Sequence, residues 1–329
     1  MTGALTAGRA GPTDTAQPRS DREAYRATLL EMARQDSRIW CVDSDMGGLE
    51  RQFEAELPAQ YVDVGIAEAN MMTISAALAS TGIVPFVNTM AAFASARALE
   101  QVKVDIAYHN LPVRIVATHS GLSAAHLGPT HHAQQDLAAM RALPNMTVLT
   151  PADPGETIRM VTAAAYLPGP VYIRLGRNPL PAVYQHDHEF VVGRAVELRS
   201  GCDVTIVAAG GYPVLFALEA AERLAELEIE ATVLNMHTIK PLDVPALIRA
   251  ATSTRGIVTV EDHAALGGLG GAVTEVLAEY RPTRIRRIGI DDVFYDRPGT
   301  HRQQLEACGV SPERIAAAAR VIACPGDPR

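Results

Sequence analysis

Short apolar runs alternate with amphipathic stretches along most of this chain. The periodicity predicts a helix over Asp21–Gln35, then the apolar strand RIWCVD. A helix over Gly65–Ser80 and the strand IVPFVNT follow, and then a helix over Ala91–His109, the strand VRIVAT and a helix over Gln134–Ala142. The strands TVLTPAD and VYIRL flank a helix over Pro154–Tyr166. A second alternation runs through DVTIVAAG, a helix over Val214–Leu227, EATVLNM, a helix over Val244–Ala251 and GIVTVED. A Gly-rich turn, LGGLGG, then opens a helix over Ala272–Tyr280. Strands of four to six apolar residues separated by helices indicate parallel sheets covered on both faces. The fold class is therefore α/β, with two parallel-sheet domains in tandem. The Pro-rich stretch RNPLPAVYQHDHEF reads as the linker, which places a tail at 1–20, one domain at 21–185 and the other at 186–329.

One stretch departs from this pattern in its charge. From Ala69 through Ala96 no charged side chain occurs, and Glu68 is the lone charge of Val64–Ser80. The uncharged run contains Asn70, Gly82, Pro85 and Asn88, so it reads as a buried helix, a turn and a buried strand rather than a membrane span. A carboxylate in such a setting is costly when ionised, so Glu68 must be paired or have a raised pKa. An acid that can share a proton suits a catalytic site. The bland alternative is a helix-end acid capping a backbone amide.

Composition narrows the function. The 329 residues are 48% hydrophobic and 20% charged, as in a globular protein with two ordinary cores. A net charge of −8 and the lack of a Lys/Arg cluster argue against a nucleic-acid partner. Cys41, Cys202, Cys308 and Cys324 are scattered with no CxxC, which fits reduced thiols in a cytoplasmic protein. The first twenty residues lack the apolar core of a signal peptide and read as a disordered tail.

Four of the ten histidines fall in one loop, THSGLSAAHLGPTHH, after the predicted strand VRIVAT. Ligand sites of αβ sheets lie at such strand ends. Three readings stand for His119, His126, His131 and His132: a metal site, solvent-facing polar residues, or a catalytic and substrate-binding loop. No acid or Cys lies within the loop to complete a zinc pattern.

The strings GIAEANMM, PFVNTMAAFASARALEQVK, ATHSGLSAAHLGPTHH, LPNMTVLTPAD and IRLGRN, in this order, resemble the thiamine-diphosphate-dependent transketolase family. VTIVAAGGYPV, LNMHTIKPLD and VEDHAALGGLGGAV are similar to its C-terminal domain, so the resemblance runs from Asp21 to Tyr280. It implies a pyrimidine-binding domain followed by the transketolase C-terminal domain. It also implies that Glu68 hydrogen-bonds a ring nitrogen of the cofactor's aminopyrimidine, favouring the imino tautomer that deprotonates the thiazolium carbon. Phe93 would pack on the pyrimidine ring, Met90 would stand where many members carry another Phe, and Asp45 would belong to the cofactor site. His131 would act in proton transfer or in orienting the donor. His119 and Arg177, with His126 beside them, would bind a sugar or sugar-phosphate substrate.

The same resemblance carries two departures. An acidic pair normally precedes GPTH, and here His126 and Leu127 stand in its place. Leu127 cannot accept a substrate hydrogen bond, which points away from ordinary pentose-phosphate donors toward a different sugar or a specialised biosynthetic pathway. The family's GDG motif, which with a downstream Asn holds the diphosphate and its Mg²⁺ or Ca²⁺, does not occur here. The implied partner is a separate N-terminal subunit carrying that motif, in an α2β2 heterotetramer. The expected function is the small, C-terminal subunit of a two-component transketolase. The alternatives are the β subunit of a 2-oxoacid dehydrogenase, a 1-deoxyxylulose-phosphate-synthase-like activity, a fragment of a longer chain, or a non-catalytic assembly subunit.

Overall fold

The computed structural model describes residues 19–48, 50–184 and 188–324. The tail expected over residues 1–20 lies outside the described residues except for its last two, and the expected boundary at 185/186 also falls outside them. Arg19 and Ser20 are ordered: they form β1 (Arg19–Ser20), which pairs antiparallel with β8 (Pro179–Leu180). Ser20 then caps the helix Asp21–Gln35. Its hydroxyl accepts from Glu23 N at 3.2 Å, while the Glu23 carboxylate accepts from Ser20 N at 3.0 Å. This is the reciprocal arrangement that an S-x-x-E sequence favours.

The remaining strands of the first half are β2 (Ile39–Asp43), β3 (Tyr61–Asp63), β4 (Val84–Met90), β5 (Arg114–Thr118), β6 (Thr147–Leu149) and β7 (Val171–Arg174). Those of the second half are β9 (Val196–Arg199), β10 (Val204–Ala209), β11 (Ala231–Asn235), β12 (Thr238–Lys240), β13 (Ile257–Ala264) and β14 (Ile285–Ile290). The first sheet has the order β12-β6-β7-β5-β4-β2-β3, the second β14-β13-β10-β11-β9. Within these two sheets every pairing is parallel except β12 on β6 and β9 on β11. Both parallel-sheet domains are therefore present, each with one antiparallel edge strand. All residues of β5, β7 and β10 are buried, as expected for strands covered on both faces.

Two features refine the sequence reading. First, β12 comes from the second half yet extends the first sheet, and Thr150 N donates to His237 O at 2.9 Å beside it. The two halves are thus stitched by backbone as well as side chains. Second, the helix expected over Ala91–His109 is not a regular α-helix. It comprises π-helical turns at Phe93–Arg97 and Val102–Ala107 around a short α segment, Leu99–Gln101. Insertions of this kind re-aim side chains and recur at functional sites.

Burial at the start of the first helix has a cost. Asp21 is 1% exposed, with Oδ1 accepting from Thr157 Oγ1 and Oδ2 from Gly176 N, both at 3.2 Å. Burial, reinforced by the nearby Asp153 and Glu156 charges, pushes its carboxyl up to about 7. The folded state then holds a proton that the unfolded chain releases near pH 4, so stability falls as pH rises from about 4 to 7 and is flat above. An Asp21→Asn variant should gain on the wild type across that window, by about 4 kcal/mol at most. Denaturant titrations at pH 5 and pH 8 check this: the gap between the two proteins must widen at the higher pH.

Candidate active site

The first sheet is parallel from β6 to β3, so its C-terminal edge gathers loops from several strands, the usual place for a ligand crevice. Asp45 follows β2, Glu68 follows β3, Phe93 follows β4, His119 follows β5 and Arg177 follows β7. Met90 ends β4 in register with Thr118, the last residue of β5. Topology alone thus brings most of the sequence-predicted residues to one edge.

Glu68 opens the helix Glu68–Ser80 and is 2% exposed. Its Oε2 accepts from Arg97 Nη1 at 2.7 Å, while Oε1 has no hydrogen bond among the described residues. Of the two outcomes required for a buried acid, the structure shows pairing. The partner is the first cation after the uncharged run, a signal the sequence reading passed over. Arg97 lies one π-helical turn beyond Phe93, which carries its guanidinium back over that ring at 4.3 Å from the centroid. The other neighbour of Phe93 is His131, edge-to-face at 5.3 Å, whose Nδ1 lies 2.8 Å from Thr130 Oγ1. Glu68, Arg97, Phe93 and His131 therefore form one connected chain.

A second cluster is cationic. His119 is 3% exposed, has φ 58° and keeps Nδ1 2.9 Å from Thr118 Oγ1. Left-handed backbone at a non-glycine residue costs energy and is retained where surrounding structure imposes it. Burial, then the charges of Arg177, Arg22, His131 and Arg26, push His119 down to about 3. Arg22 is itself shifted down by burial and by Arg26 and Arg177. Arg22 and Arg26 are neighbours at i and i+4 on the first helix. Arg26 also donates from Nη2 to Gly47 O. Glu23 and Asp43 offset only part of the downward shift at Arg22, and the excess of guanidinium charge suits an anion. Arg22 and Arg26 were not anticipated; their i, i+4 spacing, starting within the S-x-x-E cap, was the available signal.

The remaining positions are peripheral. His126 is exposed, with Nδ1 3.4 Å from Arg177 Nη1, so it lies on the cationic side. Asp45 is exposed at φ 56°, its N–H on Asp63 Oδ1 at 3.2 Å; its carboxylate has no partner among the described residues. Met90 is half-buried. Among the described residues no group of three or more His, Cys, Asp or Glu side chains is arranged to hold a metal ion. The donor set fits one half of a thiamine diphosphate molecule. Glu68, with one uncommitted oxygen, and Phe93 suit its pyrimidine ring, whereas nothing in the described residues suits a metal-bound diphosphate.

Comparison with known proteins supports a pyrimidine site. Residues 17–182 match the family model for the transketolase pyrimidine binding domain, and residues 193–315 match the transketolase C-terminal domain. The chain is 45% identical to a subunit of the apulose-4-phosphate transketolase of Phocaeicola vulgatus, over 82% of this chain and 87% of that protein. It is 40% identical to the 6-deoxy-6-sulfo-D-fructose transketolase subunit SqwH of a Clostridium species, over 92% and 94% respectively. A solved split-gene transketolase, described as an inactive beta4 tetramer, superposes with a TM-score of 0.85 at 39% identity, covering 93% of this chain and 98% of that one. A buried acid beside an aromatic ring, a histidine loop at the sheet edge and both matched domains lead to one conclusion: this chain belongs to the transketolase family.

Proposed function

We propose that the protein is the C-terminal subunit of a two-component transketolase, moving a two-carbon ketol unit from an anionic ketose, such as a sugar phosphate, to an aldehyde. The observation that carries this reading is the Glu68 carboxylate, held by Arg97 at one oxygen and uncommitted at the other, within one connected chain with Phe93 and His131. Bound thiamine diphosphate would supply the nucleophilic carbon and the electron sink for ketol transfer. Glu68 Oε1 would accept a hydrogen bond from the pyrimidine ring while Phe93 packs against that ring and Met90 and Asp45 border it. A surrounding of low dielectric strengthens that contact. His131 would orient the donor and exchange a proton with its reacting oxygen. Arg22, Arg26 and Arg177, with His119 and His126, would hold the donor's anionic end.

The diphosphate and its Mg²⁺ or Ca²⁺ fall to a separate N-terminal subunit carrying the GDG motif, in an α2β2 assembly in the cytoplasm. Both relatives are named as transketolase subunits, which supports a two-component enzyme. Their names also point to donors with an anionic or unusual group, in keeping with the clustered arginines here and with Leu127 in place of an acid. The β subunit of a 2-oxoacid dehydrogenase is disfavoured because the similar relatives and the solved split-gene structure are named as transketolases. No helix among the described residues is long and apolar enough to cross a membrane.

The chain mixed with its partner subunit, thiamine diphosphate and Mg²⁺ should transfer ketol units, and Glu68→Ala should lower kcat on the order of 10³-fold. A variant that keeps full activity would refute the role of Glu68. Arg22→Ala and Arg177→Ala should each raise KM for a phosphorylated donor about tenfold or more, while leaving an unphosphorylated ketose unaffected; equal effects on both donors would remove the anion site. His119 stays neutral over the working range. Its depressed pKa adds stability above about pH 6.5 that is lost as pH falls toward 3. Its ring resonances should therefore not titrate between pH 5 and pH 8 in NMR spectra.

A further inference from the structure

The second domain reaches the histidine loop through one buried carboxylate that the proposed chemistry does not use. Asp262 lies in β13 and is 3% exposed. Its Oδ1 accepts from Leu122 N at 3.1 Å and its Oδ2 from His301 Nε2 at 2.7 Å. Burial opposes its ionisation, but His301, Arg174 and the Leu122 amide outweigh that and hold the carboxyl below its ordinary value. The approach is closest at Gly121, where φ is +53° and a Cβ would lie 2.1 Å from the Asp262 carboxylate. Only glycine permits this contact.

The same neighbourhood fixes the other leg of the loop. Ala133 N donates to Gly121 O at 2.8 Å, closing residues 121–133 into a cycle. Arg174 Nη2 joins that closure to the second domain, donating to Ala133 O at 3.3 Å and to Asp262 O at 2.6 Å. At the loop's midpoint Gln304 Nε2 reaches Ala125 O at 3.4 Å, and Gln304 shares the helix His301–Ala307 with His301. His126 and His131 lie inside this closed loop. His119, Arg22, Arg177 and Glu68 lie outside it.

The geometry points to Asp262 as a positioning residue: a carboxylate of the C-terminal domain that sets where residues 121–133, and hence His131, stand over Phe93 and Glu68. The inference rests on the proposed role of His131. A merely space-filling residue would not need to be charged, because a desolvated carboxylate is costly unless its partners are retained. Removing it strands the Leu122 amide and frees one leg of the cycle that carries His126 and His131, while leaving Arg22, Arg26, Arg177, His119 and Glu68 in place. The C-terminal domain thereby acquires a task in the reaction without touching substrate.

The test uses the chain assembled with its partner subunit, thiamine diphosphate and Mg²⁺. Asp262→Ala should lower kcat about tenfold or more while KM for thiamine diphosphate stays within about twofold. Asp262→Asn, which keeps the shape and one acceptor oxygen, should fold normally and show a smaller loss of the same kind. Gly121→Ala should also lower kcat, and combining it with Asp262→Ala should give less than the product of the two losses, because both act on one contact. In the chain by itself, amide hydrogen exchange over residues 121–133 should rise about tenfold in Asp262→Ala with the strands of both sheets unchanged. Unchanged exchange in that segment, losses that multiply, or kcat and KM for thiamine diphosphate moving together with loss of the assembly would each overturn the inference. A wild-type assembly that transfers no ketol units would defeat the proposed function instead, and the exchange measurement would still decide whether Asp262 holds the loop.

Discussion

The structure turns on the cost of taking charge out of water at the C-terminal edge of the first sheet. Glu68 is the clearest case: it starts a helix whose neighbours carry no charge for 28 residues, and it persists because Arg97 reaches back to it at 2.7 Å. That pairing is incomplete by one oxygen. After other strands of the same edge the imbalance has the opposite sign, with an excess of arginines and a histidine held neutral by burial and by their charge. One edge therefore carries an acid with a vacant acceptor and a cluster with an excess of positive charge. A molecule with a ring donor would satisfy the first, and a sugar with an anionic end would satisfy the second.

Why the edge can hold both follows from the backbone. Parallel strands deliver successive loops to the same side, so residues from after β2, β3, β4, β5 and β7 converge without a long excursion of the chain. The π-helical turn at Phe93–Arg97 then places a ring and a guanidinium together. The second domain is not an independent appendage. It lends β12 to the first sheet, and its Asp262, His263 and Gln304 grip the segments on either side of His131.

Much of this was legible from local pattern. Alternating apolar runs and helices imply covered parallel strands, because burial on both faces imposes near-continuous hydrophobicity. The uncharged run singled out Glu68 before any partner was known. The clustered histidines marked a loop at a strand end, and the motif order identified the two domains. Less legible were elements with weak patterns: β3, β9 and β14, and the helices His301–Ala307 and Pro312–Ala323. Their sequences are short, charged or alanine-rich, so periodicity alone does not distinguish them from loops.

What remained for the tertiary structure was the matching of partners. By itself the sequence determined the fold class, the lone buried acid and the missing diphosphate motif, since each is a property of contiguous residues. Only the folded chain decided that Arg97, 29 residues away, answers Glu68. It also decided that the charges of Arg22, Arg26 and Arg177 bear on His119, and that a strand near residue 240 completes a sheet begun near residue 40. Hydrophobic periodicity is local because burial of a face is set turn by turn, whereas the pairing of charges depends on where distant segments cross.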